Sequence, residues 1–130
     1  MSRKILIIDD EQAIREVTQL TLETINGWAV LTADSGQQGL TVASVTLPDA
    51  ILLDVMMADM DGPHTLRELQ SNPATRNIPV IFLTAKVQRE DVRRFGALGV
   101  KAVLAKPFDP LHLGEDIARV LGWERTGDGG

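Results

Sequence analysis

Five short apolar runs, each separated from the next by a longer segment with helical spacing, set the strongest limit on how this chain can fold. The runs are Lys4–Asp9, Ala29–Ala33, Ala50–Asp54, Val80–Thr84 and Ala102–Ala105. They lack strict polar alternation, the pattern of strands covered on both faces. The spacing predicts a first helix over about Glu11–Ile25, where Ile14, Val17, Thr18, Thr21 and Ile25 recur and Gly27 stops the run. Ser35 is a suitable N-cap for a second helix, about Gly36–Val45, which Pro48 ends. A third is expected over Pro63–Gln70 and a fourth over Gln88–Leu98, ending at Gly99. The fifth is expected to start with Asp109 as cap and Pro110 in first position, burying Leu113, Ile117, Val120 and Leu121. Alternation of this kind implies an α/β fold, a parallel sheet with helices on both faces. With right-handed crossovers and only 130 residues, an open, doubly wound sheet is favoured over a barrel.

Composition narrows the function. The net charge of −5 argues against nucleic-acid binding through a broad basic face. Absence of cysteine excludes a disulfide framework, thiolate zinc sites and thiol catalysis. No apolar run approaches the roughly 18 residues of a membrane span. The start, Met1-Ser2-Arg3-Lys4 and a short apolar run, is too abrupt for a signal peptide. A cytoplasmic location is therefore expected, with one domain over residues 1–122 and residues 123–130 as a tail or the start of a linker. The charges are unevenly spread. Acids crowd residues 9–61, where Arg15 is the single base, whereas Lys86, Arg89, Arg93, Arg94, Lys101 and Lys106 dominate residues 86–106. This pattern suggests an acidic site in the first half and a basic surface in the second.

In a doubly wound sheet, ligands bind outside the carboxyl ends of the strands. Four of the five ends carry polar groups: Asp9-Asp10 with Glu11 following, Asp54, Thr84 and Lys106. Each alone has a bland reading, as helix-start acids, a turn residue, an ordinary strand threonine or a solvated lysine. Their convergence on one edge does not. Three crowded carboxylates need compensation, and a hard, oxygen-seeking Mg²⁺ supplies it, with Lys106 adding a further positive charge.

At these residues the chain resembles the receiver domain of bacterial two-component response regulators, including the single-domain chemotaxis type. The resemblance runs from about Arg3 to Leu121. It rests on Ile7-Ile8-Asp9-Asp10-Glu11, Asp49-Ala50-Ile51-Leu52-Leu53-Asp54, Met57-Ala58-Asp59-Met60-Asp61-Gly62, Ile78 through Ala85, and Lys106-Pro107-Phe108. It implies a flavodoxin-like fold with strand order 2-1-3-4-5. It further implies that Asp54 accepts a phosphoryl group from a histidine kinase or histidine phosphotransfer protein. Asp10 and Asp54 would ligate Mg²⁺ directly, Asp9 through water, and the Met56 carbonyl would complete the protein's share. Lys106 and Thr84 would hold phosphoryl oxygens, helped by the Ala85 N–H, and the Lys106-Pro107 bond would be cis. The fourth helix, fifth strand and fifth helix would form the output face toward a partner protein or an output domain. The chain would be a monomer or weak homodimer, with Phe95 and Leu98 serving either a dimer face or the core. No turnover enzyme is implied, only Mg²⁺-dependent self-phosphorylation and dephosphorylation.

Four departures from the family pattern stand out. Val103 occupies the place of the usual switch aromatic, and Ala58 that of a frequent proline, which restores backbone freedom to the loop. Met56 and Lys86 fill the positions that tune hydrolysis in the family and offer no carboxylate or amide to orient water; a long-lived acyl phosphate is expected. Rival readings fit less well. There is no G-x-G-x-x-G after the first strand and no G-x-x-x-x-G-K-[ST], which removes dinucleotide and P-loop sites. A phosphatase with an Asp-x-Asp closing its first strand would not carry its nucleophile on the third. A phosphorylation-independent interaction module is the remaining alternative.

Overall fold

A computed structural model describes residues 3–85 and 88–123, so the tail beyond Trp123 and the pair Lys86–Val87 lie outside the described residues. Ten elements alternate: β1 (Lys4–Ile8), α1 (Gln12–Asn26), β2 (Ala29–Ala33), α2 (Gly36–Thr46), β3 (Ala50–Asp54), α3 (Gly62–Ser71), β4 (Val80–Thr84), α4 (Arg89–Gly96), β5 (Ala102–Ala105) and α5 (Leu113–Leu121). All strands pair in parallel in the order β2-β1-β3-β4-β5. The expected doubly wound sheet is observed, with every strand in the same register sense and all carboxyl ends on one edge.

Alternate side chains of each central strand feed opposite cores, because successive residues in a strand point to opposite faces. Leu6, Ile8, Ile51, Leu53 and Phe82 pack with Ala43 of α2, Leu66 and Leu69 of α3, and Phe95 of α4. Ile5, Ile7, Leu52, Ile81 and Leu83 pack with Leu22 of α1 and Leu113, Ile117 and Ala118 of α5. Both faces being covered, β3 and β4 are buried along their whole length, which is why their sequences show no polar alternation. Phe95 belongs to this core, edge-to-face on Phe82 with ring centroids 5.1 Å apart. Leu98 is half-exposed.

Helix ends follow local chemistry. Gly27 adopts a left-handed conformation, φ 69°, and its N–H closes α1 on the Leu22 carbonyl. Ser35 caps α2 through the Gln38 N–H, as expected. The α1 face differs from expectation at its end: Thr18, Thr21 and Leu22 are buried, whereas Ile25 is half-exposed.

The start of α5 is a correction. Asp109 does not cap the helix and Pro110 is not its first residue; α5 begins at Leu113. The Asp109 carboxylate instead accepts the Leu111 N–H at 3.0 Å and meets His112 Nδ1 at 2.7 Å, holding a separate turn ahead of the helix. Helical bonding starts when Asp116 N–H reaches the His112 carbonyl, 3.0 Å away. Leu113 and Ile117 are buried as expected, while Val120 and Leu121 are only partly so.

The Asp109 pairing raises the His112 pKa above its ordinary 6.5, with Glu115 and Asp116 adding to the effect. A raised histidine contributes stability that is complete below the unfolded pKa and fades as pH climbs through the folded one. We expect the His112 imidazole to titrate above 6.5 by NMR, and Asp109→Asn to bring it back down. Equal midpoints in the two proteins would refute the pairing.

At the edge opposite the strand carboxyl ends, Trp28 enters β2 and Trp123 follows α5. Their rings meet edge-on at 5.4 Å, and the Arg3 guanidinium lies 4.4 Å above the Trp123 ring. Among the described residues, no helix is long and apolar enough to cross a membrane.

Candidate functional site

Asp9 follows β1 and remains tied to the sheet by its N–H on the Ala33 carbonyl, 3.1 Å away, which holds its side chain out of solvent. One carboxylate oxygen accepts the Glu11 N–H at 2.9 Å, and the other accepts Lys106 Nζ at 2.9 Å. Asp54 closes β3 beside β1 and β4, only 3% exposed. Its Oδ1 accepts the Met56 N–H at 3.3 Å and stands 3.5 Å from Lys106 Nζ. Lys106 leaves β5, its N–H bonded to the Thr84 carbonyl, and its ammonium also reaches Glu11 Oε1 at 2.9 Å. The Lys106-Pro107 peptide is cis. Thr84, at the end of β4 and opposite Ala105 in the register, is buried.

One ammonium thus serves three carboxylates. Burial raises the Asp54 pKa from 3.8 to about 6, and the negative charge of Asp9 adds to this, while Lys106 and the Met56 N–H pull the other way and Asp10 raises it slightly. For Lys106, burial works toward neutrality, but the hydrogen bonds and charges of Glu11, Asp9 and Asp54 outweigh it and hold the ammonium firmly protonated. The site carries more negative charge than its lysine balances.

Asp9, Asp10, Asp54, Thr84 and Lys106 all stand at this edge, and Glu11 joins them. Carboxylate oxygens of Asp9, Glu11 and Asp54 lie within 4.8 Å of one another. Asp10 is exposed and turned toward the loop after β3, where it accepts the Ala58 N–H at 3.4 Å. Glu11 was legible only as the third acid of a run; which of consecutive acids faces inward is decided by the turn from β1 into α1. Met56 is 69% exposed and, with Glu11, Ile14, Asp54, Ala85, Lys106 and Pro107, lines a cavity of about 330 Å³. Three hard oxygen donors with surplus negative charge fit a divalent cation of the Mg²⁺ type.

Fold and site together define a doubly wound α/β domain with an acidic cluster and a lysine at the carboxyl edge of its sheet. The family model of the response regulator receiver domain matches residues 5–118, and the chain belongs to that family. It is 41% identical over 113 residues to the response regulator PleD of Caulobacter vibrioides, covering 87% of this chain and 25% of PleD. It is 36% identical over 129 residues to the phosphate regulon transcriptional regulatory protein PhoB of Pseudomonas aeruginosa, covering 99% of this chain and 55% of PhoB. Among solved structures it resembles the chemotaxis response regulator CheY4 of Vibrio cholerae, with a TM-score of 0.86, 30% identity, and coverage of 92% of this chain and 99% of that one. The chain therefore spans between a quarter and about half of the length of these two regulators.

Proposed function

We propose that this receiver domain accepts one phosphoryl group on Asp54 from a histidine kinase or histidine phosphotransfer protein and passes the signal to a partner protein or an output domain. The observation that carries the reading is a buried Asp54 carboxylate facing Lys106 Nζ at 3.5 Å, both lining the cavity. An Asp54 oxygen attacks phosphorus, the P–N bond to the donor imidazole breaks with its electron pair going to nitrogen, and an acyl phosphate forms. Lys106 pairs with a phosphoryl oxygen, and the Thr84 hydroxyl with the Ala85 N–H serves another. Asp9, Asp10, Asp54 and the Met56 carbonyl would hold Mg²⁺, which when bound neutralises charge on the transferring oxygens. Phosphorylation exchanges one negative charge for roughly two and adds strong acceptors at the end of β4, biasing a two-state equilibrium read on α4, β5 and α5. Val103 is half-buried opposite Phe82 on that route, so the coupling runs through a smaller group than an aromatic.

The test is intact-mass spectrometry after incubation with acetyl phosphate, with and without Mg²⁺. One Mg²⁺-dependent phosphoryl adduct is expected, absent from Asp54→Asn. Wild-type protein that binds Mg²⁺ and gains no adduct would turn the reading to an interaction module, and multiple turnover of acetyl phosphate to an enzyme. The exposed Met56 thioether offers no group to orient an attacking water. Decay of ³²P label from Asp54 is accordingly expected over minutes or longer, and loss complete within seconds would contradict this.

A further inference from the structure

The first turn of a helix leaves N–H groups without intrahelical partners. In α2 these groups are taken by two residues from different parts of the chain. Ser35 accepts the Gln38 N–H at 3.1 Å, whereas Asp59, in the loop between β3 and α3, accepts the Gly36 N–H at 3.1 Å and the Gln37 N–H at 3.2 Å, one on each carboxylate oxygen. Asp59 therefore caps a helix more than twenty residues away. A carboxylate is the best acceptor for that place, since the bonds are charge-assisted and the helix N-terminus favours negative charge. Burial pushes the Asp59 pKa up, but the Gln37 and Gly36 N–H groups, with the neighbouring loop N–H groups, together prevail and hold it below its ordinary value.

The contact is close. A Cβ on Gly36 would stand 2.6 Å from Thr65 Oγ1 and 3.0 Å from Met60 Cβ, so α2 seats against the loop with no room for a side chain. The same loop carries Met56 and Ala58. Its base is closed by the Gly62 N–H on the Val55 carbonyl, 2.8 Å, and its far end by Asp61, which caps α3 through the His64 N–H. Between these points, the Ala58 N–H meets Asp10 at a long 3.4 Å, a second tether to a distant part of the chain.

We propose that Asp59 is a positioning residue for the acidic site, fixing the Met56–Ala58 backbone, and through Ala58 the Asp10 carboxylate, by fastening the loop to the N-terminus of α2. The inference rests on the receiver reading above, in which Asp10 and the Met56 carbonyl hold the cation. It makes α2 part of the site's support although no α2 side chain reaches the acidic cluster.

The experiment compares wild type, Asp59→Ala, Asp59→Asn and Ser35→Ala for Mg²⁺ affinity by calorimetry, amide hydrogen exchange and thermal unfolding. Ser35→Ala removes a cap from the same helix without touching the loop, so it controls for helix stability alone. Expected are faster exchange at Gly36 and Gln37 in Asp59→Ala and an Mg²⁺ affinity weaker by about tenfold, the lower end of the loss typical when a group supporting a metal ligand is removed. Asp59→Asn, which keeps one acceptor, should fall between, and Ser35→Ala should bind Mg²⁺ like wild type. An affinity in Asp59→Ala within twofold of wild type, or an equal loss in Ser35→Ala, overturns the proposal. Wild-type protein that binds no Mg²⁺ overturns the receiver reading itself, and with it this inference.

Discussion

In chelator at pH 7.5, Asp54→Asn is expected to unfold later than wild type, by about 3 kcal/mol or about 10 °C for a domain of this size. Asparagine has the shape of a protonated aspartate and cannot ionise. The native site raises the Asp54 pKa from 3.8 to about 6, so at neutral pH the folded protein holds an ion it would prefer protonated. The sign follows from proton counting. Between pH 3.8 and about 6 the native state binds the proton more tightly than the unfolded chain, so stability falls as pH rises through that window and is level above it. The wild type should thus gain stability on acidification from pH 7.5 toward 5, and Asp54→Asn should lose this gain. Urea unfolding at both pH values reads it directly, with the linear slope as a check that the transition is unchanged. Equal stability of the two proteins at pH 7.5 would mean that Asp54 bears no such penalty. The consequence bears on the proposed function: the carboxylate proposed to accept phosphorus is held ionised at a cost to the fold, a trade found where sites are built for chemistry.

The opposite substitution on the other side of the pair should have the opposite effect. Lys106→Met keeps the length of the side chain and removes the charge that both Asp9 and Asp54 face. Asp9 is fully buried and its Oδ2 is bonded to Lys106 Nζ at 2.9 Å, so the loss leaves a buried carboxylate with an orphaned oxygen. Breaking a buried pair by deleting one partner costs about 3–5 kcal/mol, and the lower end applies here because the lysine head is partly hydrated. Glu11, whose carboxylate is well exposed, adds little to that figure. Chemical unfolding at pH 7.5 measures the loss, and a decrease below about 1 kcal/mol would sink the argument. The double variant sharpens it. With Asp54 already neutral, Lys106→Met has one buried anion fewer to strand, so its cost should shrink by about 1 kcal/mol or more.

Much of this site could be read before folding because topology did the work. Asp54 and Lys106 are far apart in sequence, yet each ends an apolar run, and a parallel sheet brings all such ends to one edge. Thr84 was placed by the same logic. Local geometry was harder to read. Whether Asp10 or Glu11 turns toward Asp54 depends on backbone angles at a single strand-to-helix transition, which residue types alone do not specify. The start of α5 depended on Asp109 choosing between two N–H partners, and it bonds Leu111 in a turn rather than opening the helix. Least legible was Asp59. Its value lies in standing beside the first turn of α2, a proximity created by the crossover from β2 to β3 and by Gly36, with nothing in the loop's own sequence to announce it.

The two tryptophans give the molecule an optical property of their own. Both lie at the strand amino ends, clasped with Arg3, while the acidic cluster occupies the carboxyl ends, about 17 Å away along a five-residue strand. Their emission is therefore an internal gauge of whether the domain is intact, insulated from events at Asp54. A quench that followed phosphorylation would report a disturbance transmitted along the full length of the sheet.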